Sequence, residues 1–196
     1  NARFVPDATL TASPHDSLRH IEPQRGWLPL PFRAPRALRS WLADRGSLTR
    51  RLQVHHDDFR VIPVARGFTP PFLDEVQSID LRPTTHAYVR DVLLVGGGRA
   101  RVFAHSVLPR ASLRGGWCGI TRLGTRPLGE ALFSDPRIRR LGLTSRRLDA
   151  RHPLYRAARC HTGLTAKYLW ARRSVFCLYG HPLLVTEVFL PAIDAP

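Results

Sequence analysis

The sequence has no methionine and only three cysteines, Cys118, Cys160 and Cys177. None belongs to a Cys-x-x-Cys pair. Their odd number and wide spacing argue against a secreted disulfide framework and against a thiolate zinc site. No His stands in a defined pattern beside any of them, which removes the usual support for a nucleophilic thiol. No apolar run approaches the roughly 20 residues of a bilayer-spanning helix. Gly-x-Ser-x-Gly and His-Glu-x-x-His are both absent, so neither a serine-hydrolase elbow nor a helical zinc pair is signalled. Lysine is nearly missing as well: Lys167 is the only one among 30 basic residues.

What remains is an arginine-rich chain of 196 residues with 15 acidic side chains and a formal charge of +15. That length suits one domain with a core of its own. A hydrophobic fraction of 43% excludes a wholly disordered chain. The charge has two readings. One is an electrostatic footprint for nucleic acid, acidic lipid or an anionic substrate. The other is compositional drift toward arginine. The arginines are scattered and not massed in a tail, and no zinc finger, RRM or DNA-reading helix-turn-helix is visible. Specific nucleic-acid binding is therefore not expected.

Residues 1–34 carry Pro6, Pro14, Pro23, Pro29 and Pro31, a density that opposes regular structure. They read as an extended arm laid on a domain spanning 35–196. The arm lacks the charged-then-apolar layout of a signal peptide, so a cytoplasmic location is expected. From Pro35 the pattern turns helical, with Leu38, Trp41 and Leu42 at i, i+3 and i+4 and a stop at Gly46. Ser47 is placed to cap a second short helix, Leu48–Leu52. Val54–Ala65 reads as strand, with His55-His56-Asp57-Asp58 on a solvated edge. Tyr88–Val95 and Arg101–Leu108 read as antiparallel strands joined through Gly96-Gly97-Gly98, with Pro109 closing the second. A helix near Pro127–Phe133 follows, then an Arg-rich stretch of short helix and loop over 135–168. Arg173–Leu178 and Leu183–Leu190 complete the strands around a Tyr179–Pro182 turn. The class is α+β, a single antiparallel sheet with short helices.

Strand periodicity singles out two charges. Arg90 shares a face with Tyr88, Val92 and Leu94. A guanidinium in such a row either faces solvent or points into a closed pocket, where it can hold a planar carboxylate by two parallel hydrogen bonds. Glu187 shares a face with Leu183, Val185 and Phe189. It is either an ion-pair partner of an arginine or a pocket carboxylate for a hydroxyl or a proton. Leu48 and Leu128 fall in first helical turns, where backbone N–H groups lack helical partners. Each also reads as ordinary core. His105, on a face with Phe103 and Val107, either lines a pocket or packs.

These segments resemble the chorismate pyruvate-lyase family. The similar stretches are Gly46-Ser47-Leu48-Thr49-Arg50-Arg51-Leu52, Val89-Arg90-Asp91-Val92-Leu93-Leu94 and Val102–Pro109. They continue with Leu123-Gly124-Thr125-Arg126-Pro127-Leu128-Gly129, Trp170-Ala171-Arg172-Arg173-Ser174 and Pro182–Pro191. The resemblance implies a cofactor-independent lyase that makes 4-hydroxybenzoate and pyruvate from chorismate, for ubiquinone biosynthesis, in a pocket under helical flaps. It implies a monomer with no metal. It places the substrate's aromatic carboxylate on Arg90, backbone assistance on Leu48 and Leu128, and the 4-hydroxyl on Glu187. A non-catalytic aromatic-acid-binding domain of the same fold is the alternative. Three departures stand out. His105 stands where some relatives carry Arg, Leu48 where a Met can occur, and residues 137–168 look longer than in compact members.

Overall fold

A computed structural model describes residues 26–194. Residues 1–25, most of the expected arm, lie outside the described residues. The remainder of that arm packs on the body: Trp27 is 1% exposed, Ala34 is buried, and Leu28 pairs with Ser145.

One seven-stranded antiparallel sheet organises the chain. Its strands are β1 (Arg60–Thr69), β2 (Ala87–Gly96), β3 (Arg99–Leu108), β4 (Arg139–Arg140), β5 (Thr144–Leu148), β6 (Leu169–Leu178) and β7 (His181–Phe189). The order is β1-β2-β3-β7-β6-β4, with β5 also paired to β6. Six helices decorate it: α1 (Arg36–Ala43), α2 (Leu48–His55), α3 (Leu73–Val76), α4 (Arg110–Arg114), α5 (Leu128–Ser134) and α6 (Pro153–Thr162).

The central strands β2, β3, β6 and β7 are buried at nearly every position because both sheet faces are covered. On the front, α1, α2 and α5 pack through Trp41, Leu42, Leu48, Leu52, Leu128 and Leu132. On the back, α6 packs Leu154, Tyr155 and Ala158 against Leu93, Phe103 and Val188. The α+β reading with one antiparallel sheet is what the chain adopts.

Several boundaries differ from expectation, each for a local reason. α2 continues through His55, so the strand begins at Arg60 and not at Val54. His55-His56-Asp57-Asp58 is thus a helix end and a turn. There Asp58 accepts hydrogen bonds from the N–H groups of Gly97 and Gly98 at 2.6 and 2.7 Å, clasping the β2–β3 hairpin. Gly97 and Gly98 both take positive φ, which explains the glycines of that turn. Pro127 is the N-cap of α5, one residue earlier than a first-turn proline. The stretch 135–168 holds β4, β5 and α6. Their arginine-rich, polar sequence hides two short strands that gain pairing only from the edge of β6.

Candidate active site

A cavity lies on the front of the sheet, under α2 and α5. Its volume is about 40 Å³. All four site residues expected from sequence line it: Leu48, Arg90, Leu128 and Glu187.

Arg90 reaches it because β2 is central and buried on both faces. Only 4% of the residue is exposed. Its guanidinium donates to the carbonyls of Gly124 and Arg126 at 2.9 and 3.3 Å, the loop that leads into α5. No carboxylate among the described residues pairs with it. Burial pulls its pKa below the ordinary arginine value, only partly offset by Tyr88. A buried cation without a counter-charge is costly, and a carboxylate brought into the cavity would relieve that cost.

Glu187 comes from β7, two strands away. Its carboxylate accepts a hydrogen bond from Arg172 Nε across the β6–β7 register. The ion pair and the pocket position, alternatives in the sequence, are both realised. Its side chain keeps 17% exposure, the cavity side being open, whereas Arg172 is sealed. From strand spacing and register, Arg90 and Glu187 stand about 12 Å apart at the backbone.

Two further arginines line the cavity without having been singled out by sequence. Arg172 donates to the carbonyls of Trp41 and Asp44 at 2.8 and 2.7 Å, and Arg140 to Arg45 O at 2.8 Å. Together they fasten the α1–α2 connection over the cavity. Arg140 also donates to Ser174 Oγ at 2.7 Å. Burial and the Arg172 charge pull its pKa down to about 10. Starting the strand at Arg173 hid Arg172. Extended back to Leu169, the two-residue period puts Trp170, Arg172, Ser174 and Phe176 on one face. The cavity therefore holds three guanidiniums against one carboxylate.

The helix starts meet at Gly129. A Cβ there would stand 2.7 Å from Thr49 Oγ1 and 3.0 Å from Ser47 Oγ, so only glycine lets α5 approach α2 this closely. Ser47 Oγ accepts from Arg50 N at 3.3 Å, which leaves the first-turn amides of Leu48 and Thr49 to other partners. Leu48 and Leu128 bury their side chains as core, so any contact they offer a ligand comes from backbone N–H groups.

His105 does not line the cavity. It points to the back of the sheet, with Nδ1 2.6 Å from Asp91 and Nε2 3.0 Å from Glu75. Burial alone would lower its pKa, but Glu75 and Asp91 outweigh burial and push it up to about 10.

The sequence model of chorismate lyase matches residues 29–194. The chain belongs to the chorismate lyase family. A probable chorismate pyruvate-lyase of Thiobacillus denitrificans is 64% identical over 187 residues, covering 95% of this chain and all of the relative. A probable chorismate pyruvate-lyase of Nitrosomonas eutropha is 44% identical over 87% of this chain and 96% of its own. Among solved structures, the PhnF C-terminal domain aligns over 66% of this chain and 80% of its own, with a TM-score of 0.51 and 11% identity. Intact PhnF from Mycobacterium smegmatis aligns over 76% and 65%, with a TM-score of 0.50 and 14% identity. At that identity the likeness speaks to fold alone. A shared fold does not fix function, which must be argued from the cavity. No described helix is long and apolar enough to cross a membrane.

Proposed function

We propose that this chain is a chorismate pyruvate-lyase, converting chorismate to 4-hydroxybenzoate and pyruvate and supplying ubiquinone biosynthesis from the cytoplasm. The observation that carries the reading is Arg90, a buried guanidinium without a carboxylate partner at one end of a cavity that has Glu187 at the other. Chorismate is a small dianion, and a cavity with three guanidiniums and one carboxylate has the complementary charge.

In this reading Arg90 holds the ring carboxylate and Glu187 meets the 4-hydroxyl. The backbone N–H groups of Leu48 and Leu128 assist from the helix starts. Arg140 and Arg172 face the second carboxylate and the charge that develops on the leaving group. The ether bond at C3 breaks and its electron pair leaves with the enolpyruvyl oxygen. The C4–H electron pair closes the aromatic ring, and the proton ends on enolpyruvate, which becomes pyruvate. Aromatisation makes this strongly downhill. The protein's task is to hold one reactive conformer and to stabilise shifting charge, which calls for no metal or redox cofactor and only one copy of the chain. A pocket shaped to an aromatic acid also retains its product, so release past α2 and α5 limits turnover.

The test is to mix the protein with chorismate in EDTA and follow 4-hydroxybenzoate absorbance together with pyruvate. Stoichiometric appearance of both is expected, with a pre-steady-state burst. Absence of product sinks the reading, and 4-hydroxybenzoate binding without turnover would assign a non-catalytic aromatic-acid-binding domain instead.

A further inference from the structure

Behind the cavity the sheet carries one continuous row of polar side chains. Asp91 on β2 pairs in register with His105 on β3, His105 with Thr186 on β7, and Thr186 with Arg173 on β6. The contacts follow the register. Asp91 meets His105 at 2.6 Å, and Arg173 Nε donates to Thr186 Oγ1 at 3.0 Å. Glu75, on α3, spans the row. Its Oε1 lies 3.0 Å from His105 Nε2 and 3.8 Å from Arg173, and its Oε2 accepts from Phe72 N at 2.9 Å. Asp74 holds Arg173 from the same helix at 3.0 Å. Glu75 and Thr186 are fully buried, and His105, Arg173 and Asp91 nearly so.

The row's place in the sheet gives it meaning. In an antiparallel sheet the residues on either side of a back-facing row point forward. One flanking row is Arg90, Ser106, Val185 and Ser174, and the other is Val92, Ala104, Glu187 and Arg172. All eight line the cavity. Two charged members of the back row are therefore chain neighbours of front residues assigned to the substrate: Asp91 of Arg90, and Arg173 of Arg172. Thr186 likewise adjoins Glu187.

We propose that His105, bridged to Asp91 and Glu75, is a positioning residue that sets the spacing between Arg90 and the Arg172–Glu187 pair by locking four strands in one lateral arrangement. The proposal rests on the lyase reading for its catalytic consequence but not for its structural one. A neutral packing residue at 105 would leave Asp91 and Glu75 without a cation between them, straining β2 against α3 behind the cavity. The requirement is a cation of the right reach.

The experiment compares wild type, His105→Gln, His105→Arg and Thr186→Val as full-length chains. Arg90 and Arg172 Nε–Hε resonances are recorded in the ligand-free protein, and kcat and KM with chorismate. In H105Q both resonances should move and kcat should fall about tenfold or more, misplacement by a fraction of an ångström being enough. H105R should restore kcat to within about threefold. T186V, which removes one neutral hydrogen bond and folds even if H105Q does not, should move the Arg172 resonance and lower kcat by a smaller factor. Unmoved resonances and an unchanged kcat per folded molecule in H105Q and T186V would overturn the proposal, as would H105R behaving like H105Q. Should wild type not convert chorismate, the lyase reading falls while the resonances still decide the positioning role.

Discussion

The two faces of one sheet both bury arginines, and they neutralise them differently. On the back, Arg173 stacks 3.9 Å from the Trp27 ring centre and meets Asp74, Glu75 and Thr186. Burial lowers its pKa, and the two carboxylates oppose that. On the front, Arg90 meets two backbone carbonyls and, among the described residues, no carboxylate. Strands β2 and β6 bury both side chains almost equally, at 4% exposure each. A buried charge with counter-charges contributes to the fold, and one without them is the stronger candidate for a ligand contact.

Swapping the two residues for apolar ones should break that comparison most sharply. Arg90→Leu is expected to lower kcat/KM for chorismate by about 10²–10³-fold, the scale of losing one preorganised charge-stabilising group. Its unfolding free energy should hold or rise, because an unpaired buried charge is removed. Arg173→Leu should do the reverse to stability, costing about 3–5 kcal/mol by taking from Asp74 and Glu75 the buried cation they share. Urea unfolding beside steady-state kinetics reads both. Equal destabilisation by the two variants would show that Arg90 is structural.

Glu187→Gln sharpens the distinction within the front face. Gln keeps a hydrogen bond to Arg172 but loses the charge, so Arg172 retains Trp41 and Asp44 carbonyls as partners. The expected loss in kcat/KM is about 10²-fold, within the range of a general acid–base or charged hydrogen-bonding group. A loss below about threefold would remove Glu187 from the reacting end.

Gly129→Ala tests whether the helix starts must touch. The new Cβ meets Thr49 and Ser47, so α5 must back away from α2 by a few tenths of an ångström. We expect KM to rise several-fold with a stability change of about 1 kcal/mol, typical of mild overpacking. Unchanged KM would mean the approach of α2 and α5 is incidental to binding.

The front face was the more legible in sequence. Arg90 and Glu187 each interrupt a long apolar strand, and a two-residue period names the face they share with Tyr88 or Val185. Ser47 announced α2 because an N-cap needs its hydroxyl. The back face was not legible. Glu75 lies on a four-residue helix with no periodic signal, and it reaches His105 only through tertiary packing. His105 was correctly grouped with Phe103 and Val107, but periodicity cannot say which of two buried faces looks at the cavity. β4 and β5 stayed hidden because arginine-rich strands pair only when β6 offers them an edge.

The last expected effect is a pH dependence of stability that the back face contributes. The His105 imidazolium is held at about 10 by Glu75 and Asp91, above its value of about 6.5 in an unfolded chain. Folding therefore favours the protonated form. The resulting stabilisation is complete below about pH 6.5 and is lost as the pH rises through about 10. The charged groups packed around it are Glu75 of α3 and Asp91 of β2, with Asp74 and Arg173 next to them. The unfolding free energy of wild type should thus decline from pH 6.5 to 10, more steeply than that of His105→Arg, whose guanidinium does not titrate there. Parallel profiles for the two proteins would mean that His105 is neutral in the folded state and that the row behind the cavity is not closed by its charge.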